Sequence, residues 1–533
     1  MANYKNFILK HQAIIVLFLL TILVLVTRLP IILSNSFAFT FDHGKDSMAI
    51  LHMWQTFSPK FIGPWTSIPG FYFGPGWYYL LLPAYVLSGG APSAAVIVMM
   101  LLVLIQVFLA YKYFGKEAAI ILAASSSWAT FSTSAWNPFP MALISLIILI
   151  LIKSTASHSR LSEQHAFLLG LMAAFGFHFS TAFAIFYPPL ITLSLISHKI
   201  KFSLKTIVTS GAGFIMPFLP QIMFELKHNF IEIRSLINYM GSGEADSISL
   251  EKVFRIISTA WADFNHAATP EVWMPWPYLP IIIKLVYYVL LLTATYYYLK
   301  KIRHKTLRKA NLFYFQKDLV WWIGIPLTSY FFLHFNFWYL IGLLPIVVLF
   351  VAHLIKQLPS FTKKIALSLF ILAALSQQIF FQLEDKEKFV NDRTFLPVKI
   401  RALDYIAATA NEKPYSSYHY VPDIYDYSYQ YLYFWRAIQG SDLPVEFSYK
   451  PGEILYVTEK PDLLIKLQSK IPQKEPALIF FIVEKPLVPA YLEEWWSHQE
   501  YGQIISQEQI SRDLTVYTAL PKDKSLSEPV IKP

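Results

Sequence analysis

The sequence predicts a polytopic α-helical membrane protein with about 11 transmembrane helices and a small extracytoplasmic α/β domain at its C-terminal end. Three observations lead there. Of 533 residues, 55% are hydrophobic and only 15% charged, and a mean hydropathy of +0.44 is too apolar for one ordinary soluble core of this size. Eleven apolar runs approach the roughly 17 to 25 residues that cross a bilayer. The composition then changes abruptly at Gln382-Leu383-Glu384-Asp385-Lys386, and the tail beyond holds 22 of the 34 acidic residues.

The first run covers about residues 13 to 34, after Lys5 and Lys10. It is too long for a signal-peptide core and no A-x-A site follows, so it reads as an uncleaved anchor. The others lie near 92 to 111, 117 to 135, 138 to 152, 166 to 182, 184 to 197, 206 to 224, 277 to 299, 318 to 332, 337 to 355 and 364 to 382. With a cytoplasmic N-terminus, the inside segments carry 19 Lys and Arg against 6 outside, as the positive-inside rule asks. An odd number of crossings places residues 383–533 outside. The expected division is a membrane domain over 1–382, with external loops 35–91 and 225–276, and an extracytoplasmic domain over 383–533. The expected location is the cell membrane.

In the tail, strand-like runs (Ile454 to Val457, Leu478 to Val483, Leu514 to Tyr517) alternate with helix-like ones (Ile400 to Ala408, Tyr427 to Ala437, Leu463 to Gln468). This pattern predicts a small α/β fold. No internal repeat or low-complexity tract is found.

Several function classes fall away. The net charge of +10 is accounted for by cytoplasmic loops and does not call for nucleic acid. With no cysteine, thiol catalysis, disulfides and Cys-metal sites are excluded. Outside the tail twelve acidic residues remain, and none sits at the middle of a predicted span. Proton-coupled transport normally needs ionisable groups inside the bundle, so transport by buried carboxylates is disfavoured. No Walker-type loop or dinucleotide fingerprint occurs.

Two carboxylates stand apart. Asp42 and Asp46 lie in Phe41-Asp42-His43-Gly44-Lys45-Asp46-Ser47, ahead of an aromatic, Gly/Pro-rich stretch from Ile62 to Tyr79. Four residues apart, they share a face if the segment is helical. Asp42 is then either a helix N-cap or a functional acid held at headgroup level. The stretch after it lacks the charge of a solvated loop and suits the outer membrane face.

These residues resemble the GT-C superfamily of membrane glycosyltransferases, in particular bacterial relatives of protein O-mannosyltransferases and of the aminoarabinose lipid A transferase. The resemblance rests on the acidic first loop, on Gly74-Pro75-Gly76-Trp77-Tyr78-Tyr79-Leu80-Leu81-Leu82-Pro83, on Ala135-Trp136-Asn137-Pro138, on Gly176-Phe177-His178-Phe179-Ser180 and on Phe224-Glu225-Leu226-Lys227-His228-Asn229-Phe230. It implies a GT-C fold and transfer of a sugar from a polyprenyl-phosphate donor to an external acceptor, which is a lipid, glycan or protein. It also implies a first-loop carboxylate as base, which here is Asp42. The family's adjacent Asp-Glu pair is Asp42-His43 in this chain, so Asp46, one turn later, is the expected second acid.

Such a displacement needs a general base for the acceptor hydroxyl and fixed positive charge for the departing phosphate. Lys45, Arg28, His178 and His228 are candidate ligands of the donor phosphate or acceptor, with Glu225 and Tyr339 beside them. Each has a structural alternative. Arg28 snorkels to the interface, and His178 is a hydrogen-bonded core histidine. Glu225 joins a helix-end ion-pair network with Lys227, and Tyr339 is an interfacial aromatic of the external turn. Trp495-Trp496 and the tyrosines from Tyr415 to Tyr433 either stack on sugar or pack a core. No cofactor is expected. Asp42 and Asp46 with a donor phosphate are a conceivable Mg²⁺ site, not favoured because Lys45 already supplies positive charge. A flippase or exporter of lipid-linked glycans is the alternative function.

Overall fold

In a computed structural model, residues 2–156, 160–241, 249–274, 276, 278–303, 314–383, 386–423, 425–453 and 456–522 are described. Among them, six helices are long and apolar enough to cross a membrane: His11–Leu33, Ser93–Phe114, Leu204–Lys227, Tyr278–Arg303, Phe337–Lys356 and Ser360–Phe381. The remaining predicted runs are helical but shorter or interrupted. The run at 117 to 135 breaks into Lys116–Ala124 and Ser126–Thr133 at Ser125, whose backbone is extended. The run at 166 to 182 ends as a helix at Phe177. Pro217 and Pro220 bring a short 3₁₀ turn, Met216–Phe218, into the run at 206 to 224, because proline removes a helical donor.

The chain forms two compact units, Met1–Leu29, Lys60–Trp77 and Met99–Phe380 in one, and Pro30–Pro59, Tyr78–Val98 and Phe381–Pro533 in the other. The first is helical. Its core includes Arg28, buried on the first helix, with Nη2 donating to the Ala123 carbonyl at 2.7 Å and Nε to Ser132 Oγ at 3.4 Å. Arg28 therefore does not snorkel. Asn137 donates to the Phe179 carbonyl at 2.8 Å, which ties together two of the motifs that carry the family resemblance.

The second unit holds a five-stranded sheet, β1 (Tyr415–Tyr420), β2 (Phe447–Ser448), β3 (Leu478–Glu484), β4 (Gln503–Ser511) and β5 (Leu514–Leu520), in the order β2-β1-β3-β5-β4. β1 runs parallel to β2 and β3, and β5 antiparallel to β3 and β4. The predicted strands at Leu478 and Leu514 are β3 and β5. Of the strand expected at 454 to 457, Ile454 and Leu455 lie outside the described residues, while Tyr456 and Val457 are turn. Trp495 is buried against Tyr420, Phe481 and Tyr449, with Trp496 packed on the same cluster. Core packing is thus the reading that fits this tryptophan pair.

Within this unit the first-loop helix Phe41–Thr56 is packed on the tail. Gly44 lies directly on the backbone of Tyr427 and Ser428 at the start of the Tyr427–Ile438 helix, where any Cβ would overlap it. Phe39 N–H donates to the Thr394 carbonyl at 2.8 Å, and His52 Nε2 meets Asp462 Oδ2 at 2.9 Å. Glycine at position 44 is what lets the two helices approach this closely.

Candidate functional site

The expected N-cap is one position off. Thr40, not Asp42, caps the Phe41–Thr56 helix, and Thr40 N–H donates to His43 Nδ1 at 3.2 Å. His43 thus holds the third helical position, which a glutamate commonly fills in a capping box. Burial, against the opposing charge of Asp42, pushes the His43 pKa down to about 4. A neutral imidazole is what a ring nitrogen accepting Thr40 N–H requires. His43, where the resemblance implied a glutamate, is therefore occupied by the backbone.

Asp42 stands in the first turn with its side chain half exposed, paired to the buried Lys45 at Oδ1–Nζ 3.1 Å. The ammonium also lies 5.1 Å from the Phe41 ring centre. Asp46 is buried on the next turn. Asp46, Glu459 and Asp42 all act electrostatically on the buried Tyr78 phenol. Phe41 packs edge-on to Tyr427 at 5.5 Å, and Tyr425 stacks on Tyr456 at 5.4 Å. Asp42, Lys45 and Asp46 are thus one cluster walled by aromatic rings.

The tail adds charges that sequence reasoning missed. Asp423 follows the carboxyl end of β1. Burial, and then the charge of Glu484, push its carboxyl above the ordinary range, with Asp42 acting in the same direction and Lys399 and Arg393 opposing. Glu484 closes β3, is buried, and binds Arg393 at 3.1 Å, Tyr429 OH at 2.8 Å and Lys399. Ligands of parallel sheets commonly bind at carboxyl strand ends. No spacing in the sequence signals that Asp42 and Asp423 belong together.

The other unit places the remaining candidates. His178 is buried at the C-cap of the Glu163–Phe177 helix, where Nδ1 accepts Gly76 N–H at 2.9 Å. Any Cβ on Gly74 would overlap the imidazole and one on Gly76 would press on it, so the ring locks the Gly74-Pro75-Gly76 turn. Glu225 and His228 are not brought together. Glu225 instead accepts the backbone N–H groups of Glu232 at 2.9 Å and Ile233 at 3.2 Å, capping the Ile231–Gly241 helix. His228 is exposed, stacked on Phe224 and bonded to its own helix at the Phe224 carbonyl. Tyr339 OH accepts from Asn336 at 3.4 Å, beside Tyr330.

Near Glu225 lies a cavity of about 350 Å³, lined by Phe71, Phe177, Phe214, Phe218 and Phe230 with only a few polar groups. One of these is Glu232, buried, accepting Tyr72 N–H at 3.1 Å and the Gln221 amide at 2.9 Å. Burial pushes its pKa up to about 7. Its only sequence signal is its place seven residues after Glu225. Among the described residues, no group of three or more His, Asp or Glu side chains is arranged to hold a metal ion.

No protein-family profile matches the chain, and no curated protein sequence matches it. Two solved structures do. ArnT from Cupriavidus metallidurans bound to undecaprenyl phosphate gives a TM-score of 0.52 at 11% identity, covering 97% of this chain and 98% of that one. The apo form of that ArnT gives 0.53 at 12% identity over the same shares. At such identity the likeness is one of fold. The chain shares the fold of that ArnT over 97% of its length, in line with the fold that the resemblance implied.

Proposed function

We propose that this chain is an inverting glycosyltransferase that moves a sugar from a polyprenyl-phosphate donor to an acceptor at the outer face of the cell membrane. The observation that carries the reading is likeness to ArnT over 97% of the chain, one of the two structures having undecaprenyl phosphate bound. Asp42 is the base. Its carboxylate takes the acceptor hydroxyl proton as the new oxygen–C1 bond forms, while the C1–O bond to phosphate breaks and the lipid phosphate departs with the electron pair. Attack opposite the departing group inverts the anomeric centre. Lys45 holds the Asp42 carboxylate in place through the 3.1 Å pair, and Asp46 supports the cluster one turn on.

Arg28, the expected phosphate ligand, is buried with Nε, Nη1 and Nη2 each donating to a neutral acceptor inside the helical unit, and its proposed part is to hold those helices together there. The phenylalanine-lined cavity suits an isoprenoid chain, with Glu225 shaping its wall. His178, His228 and Tyr339 act by positioning. The proposed topology has eleven crossings, a cytoplasmic N-terminus and an extracytoplasmic segment 383–533, and the reaction needs no metal.

The test is transfer from a labelled polyprenyl-phosphate sugar in membrane vesicles. Wild type releases free polyprenyl phosphate and labels the acceptor, and Asp42→Asn does neither while retaining its melting behaviour. Near-normal turnover by Asp42→Asn rejects the assignment. Lipid export without release of polyprenyl phosphate would instead establish a flippase.

A further inference from the structure

The tail carries another cavity, of about 610 Å³, within the usual range of ligand sites. It opens at the amino ends of β1 and β3, where Tyr415 begins its strand, and so lies a strand length, roughly 20 Å, from the Asp423 end of the sheet. Its walls mix signs, with Lys413, Lys474 and Arg436 against Glu412 and Asp442, and Tyr415, partly exposed at the strand start, supplies ring surface. Arg436 is already engaged by Asp404 and by the Ile400 carbonyl at 3.3 Å. The lining therefore offers no excess positive charge to an anion.

Nor does the backbone invite a peptide strand. Val445 N–H donates to the Tyr415 carbonyl at 2.8 Å and Ala477 N–H to the Pro414 carbonyl at 2.7 Å, so both sides of this strand start are closed. Recognition is left to side chains, which offer donors, acceptors and an aromatic face in near-neutral balance. The rim begins where the Leu396–Ala410 helix ends on Asn411 in the left-handed conformation (φ 46°), a usual way to close a helix, followed by Glu412 at φ 64°.

We propose that this cleft binds a neutral oligosaccharide, whose hydroxyls use the acids and bases of the wall and one of whose ring faces lies on Tyr415. The assignment stands whether or not Asp42 catalyses transfer, because binding needs no donor. The test is binding of full-length protein in detergent to an array of neutral and acidic oligosaccharides, followed by calorimetric titration of the tightest ligand. A neutral chain is expected to bind saturably. Ala407→Trp, which fills the cleft from an exposed lining position, and Asp442→Ala should each weaken it at least tenfold, and Asp42→Asn should leave it unchanged. Failure of every neutral chain to bind, binding indifferent to Ala407→Trp, or competition by inorganic phosphate overturns the proposal. Loss of transfer in Asp42→Asn with the sugar still bound separates this site from the catalytic one.

Discussion

Lys45 Nζ and Asp42 Oδ1 meet at 3.1 Å across one helical turn, with the ammonium buried and the carboxylate half exposed. This orients the acid without sealing it. Asp42→Asn should lower transfer by about 10²-fold or more, the range of general-base catalysis. Lys45→Met should reduce kcat with little change in melting temperature relative to Asp42→Asn. Radiolabel transfer in vesicles and thermal melts in detergent read both, and Lys45→Met with full activity would remove the lysine from the site.

Gly76 and His178 make a second checkable pair. Gly74→Ala places a methyl group on the imidazole and should cost about 1 to 3 kcal/mol through overpacking. His178→Ala strands the Gly76 donor, a loss of about 1 to 3 kcal/mol. Denaturation in detergent tests both, and a neutral Gly74→Ala would show that the turn is not locked by the ring.

Glu232 should make stability depend on pH. Its folded pKa of about 7 lies above the 4.5 of an ordinary exposed glutamate, so the folded chain keeps this proton where the unfolded chain has released it. Stability from this group is fullest below about pH 4.5, declines as pH rises toward 7 and levels off above. Glu232→Gln retains an acceptor for Tyr72 N–H and should flatten that part of the profile. Melting temperature measured from pH 4.5 to 8 decides, and an unchanged slope would contradict the assignment.

Glu225 should matter through the helix it caps. Glu225→Ala removes the acceptor for Glu232 and Ile233 N–H and should cost about 1 kcal/mol. Amide exchange should speed up selectively at those two residues, and uniform protection would count against the cap.

In the tail, Ser417 Oγ meets His419 Nε2 at 3.1 Å and His419 Nδ1 meets Asp426 Oδ2 at 2.5 Å. This is the bonding order of a serine-hydrolase triad, but all three side chains are fully buried and Tyr433 donates to Ser417 at 2.8 Å. A fluorophosphonate probe should leave Ser417 unlabelled. Asp426→Asn should cost about 3 to 5 kcal/mol by breaking a buried pair. Labelling of Ser417 would refute the structural role.

The sequence by itself determined the membrane class, the stretches that become helices and two of the five strands, because apolar length and periodicity are local properties of the chain. It singled out Asp42, Lys45 and Asp46 from their isolation in an apolar loop. It did not disclose β1: Tyr415-Ser416-Ser417-Tyr418-His419-Tyr420 lacks the alternation of a half-buried strand, and its polar groups bond both within the strand, Ser417 to His419, and beyond it to Asp426, Tyr433 and Glu446. Tertiary structure alone decided that Gly44 meets Tyr427, that Asp423 and Glu484 gather near Asp42, and that Glu225 caps a helix rather than pairing with His228. The physical reason is that charge, burial and hydrogen bonding depend on neighbours in space, and here those neighbours lie up to several hundred residues away along the chain.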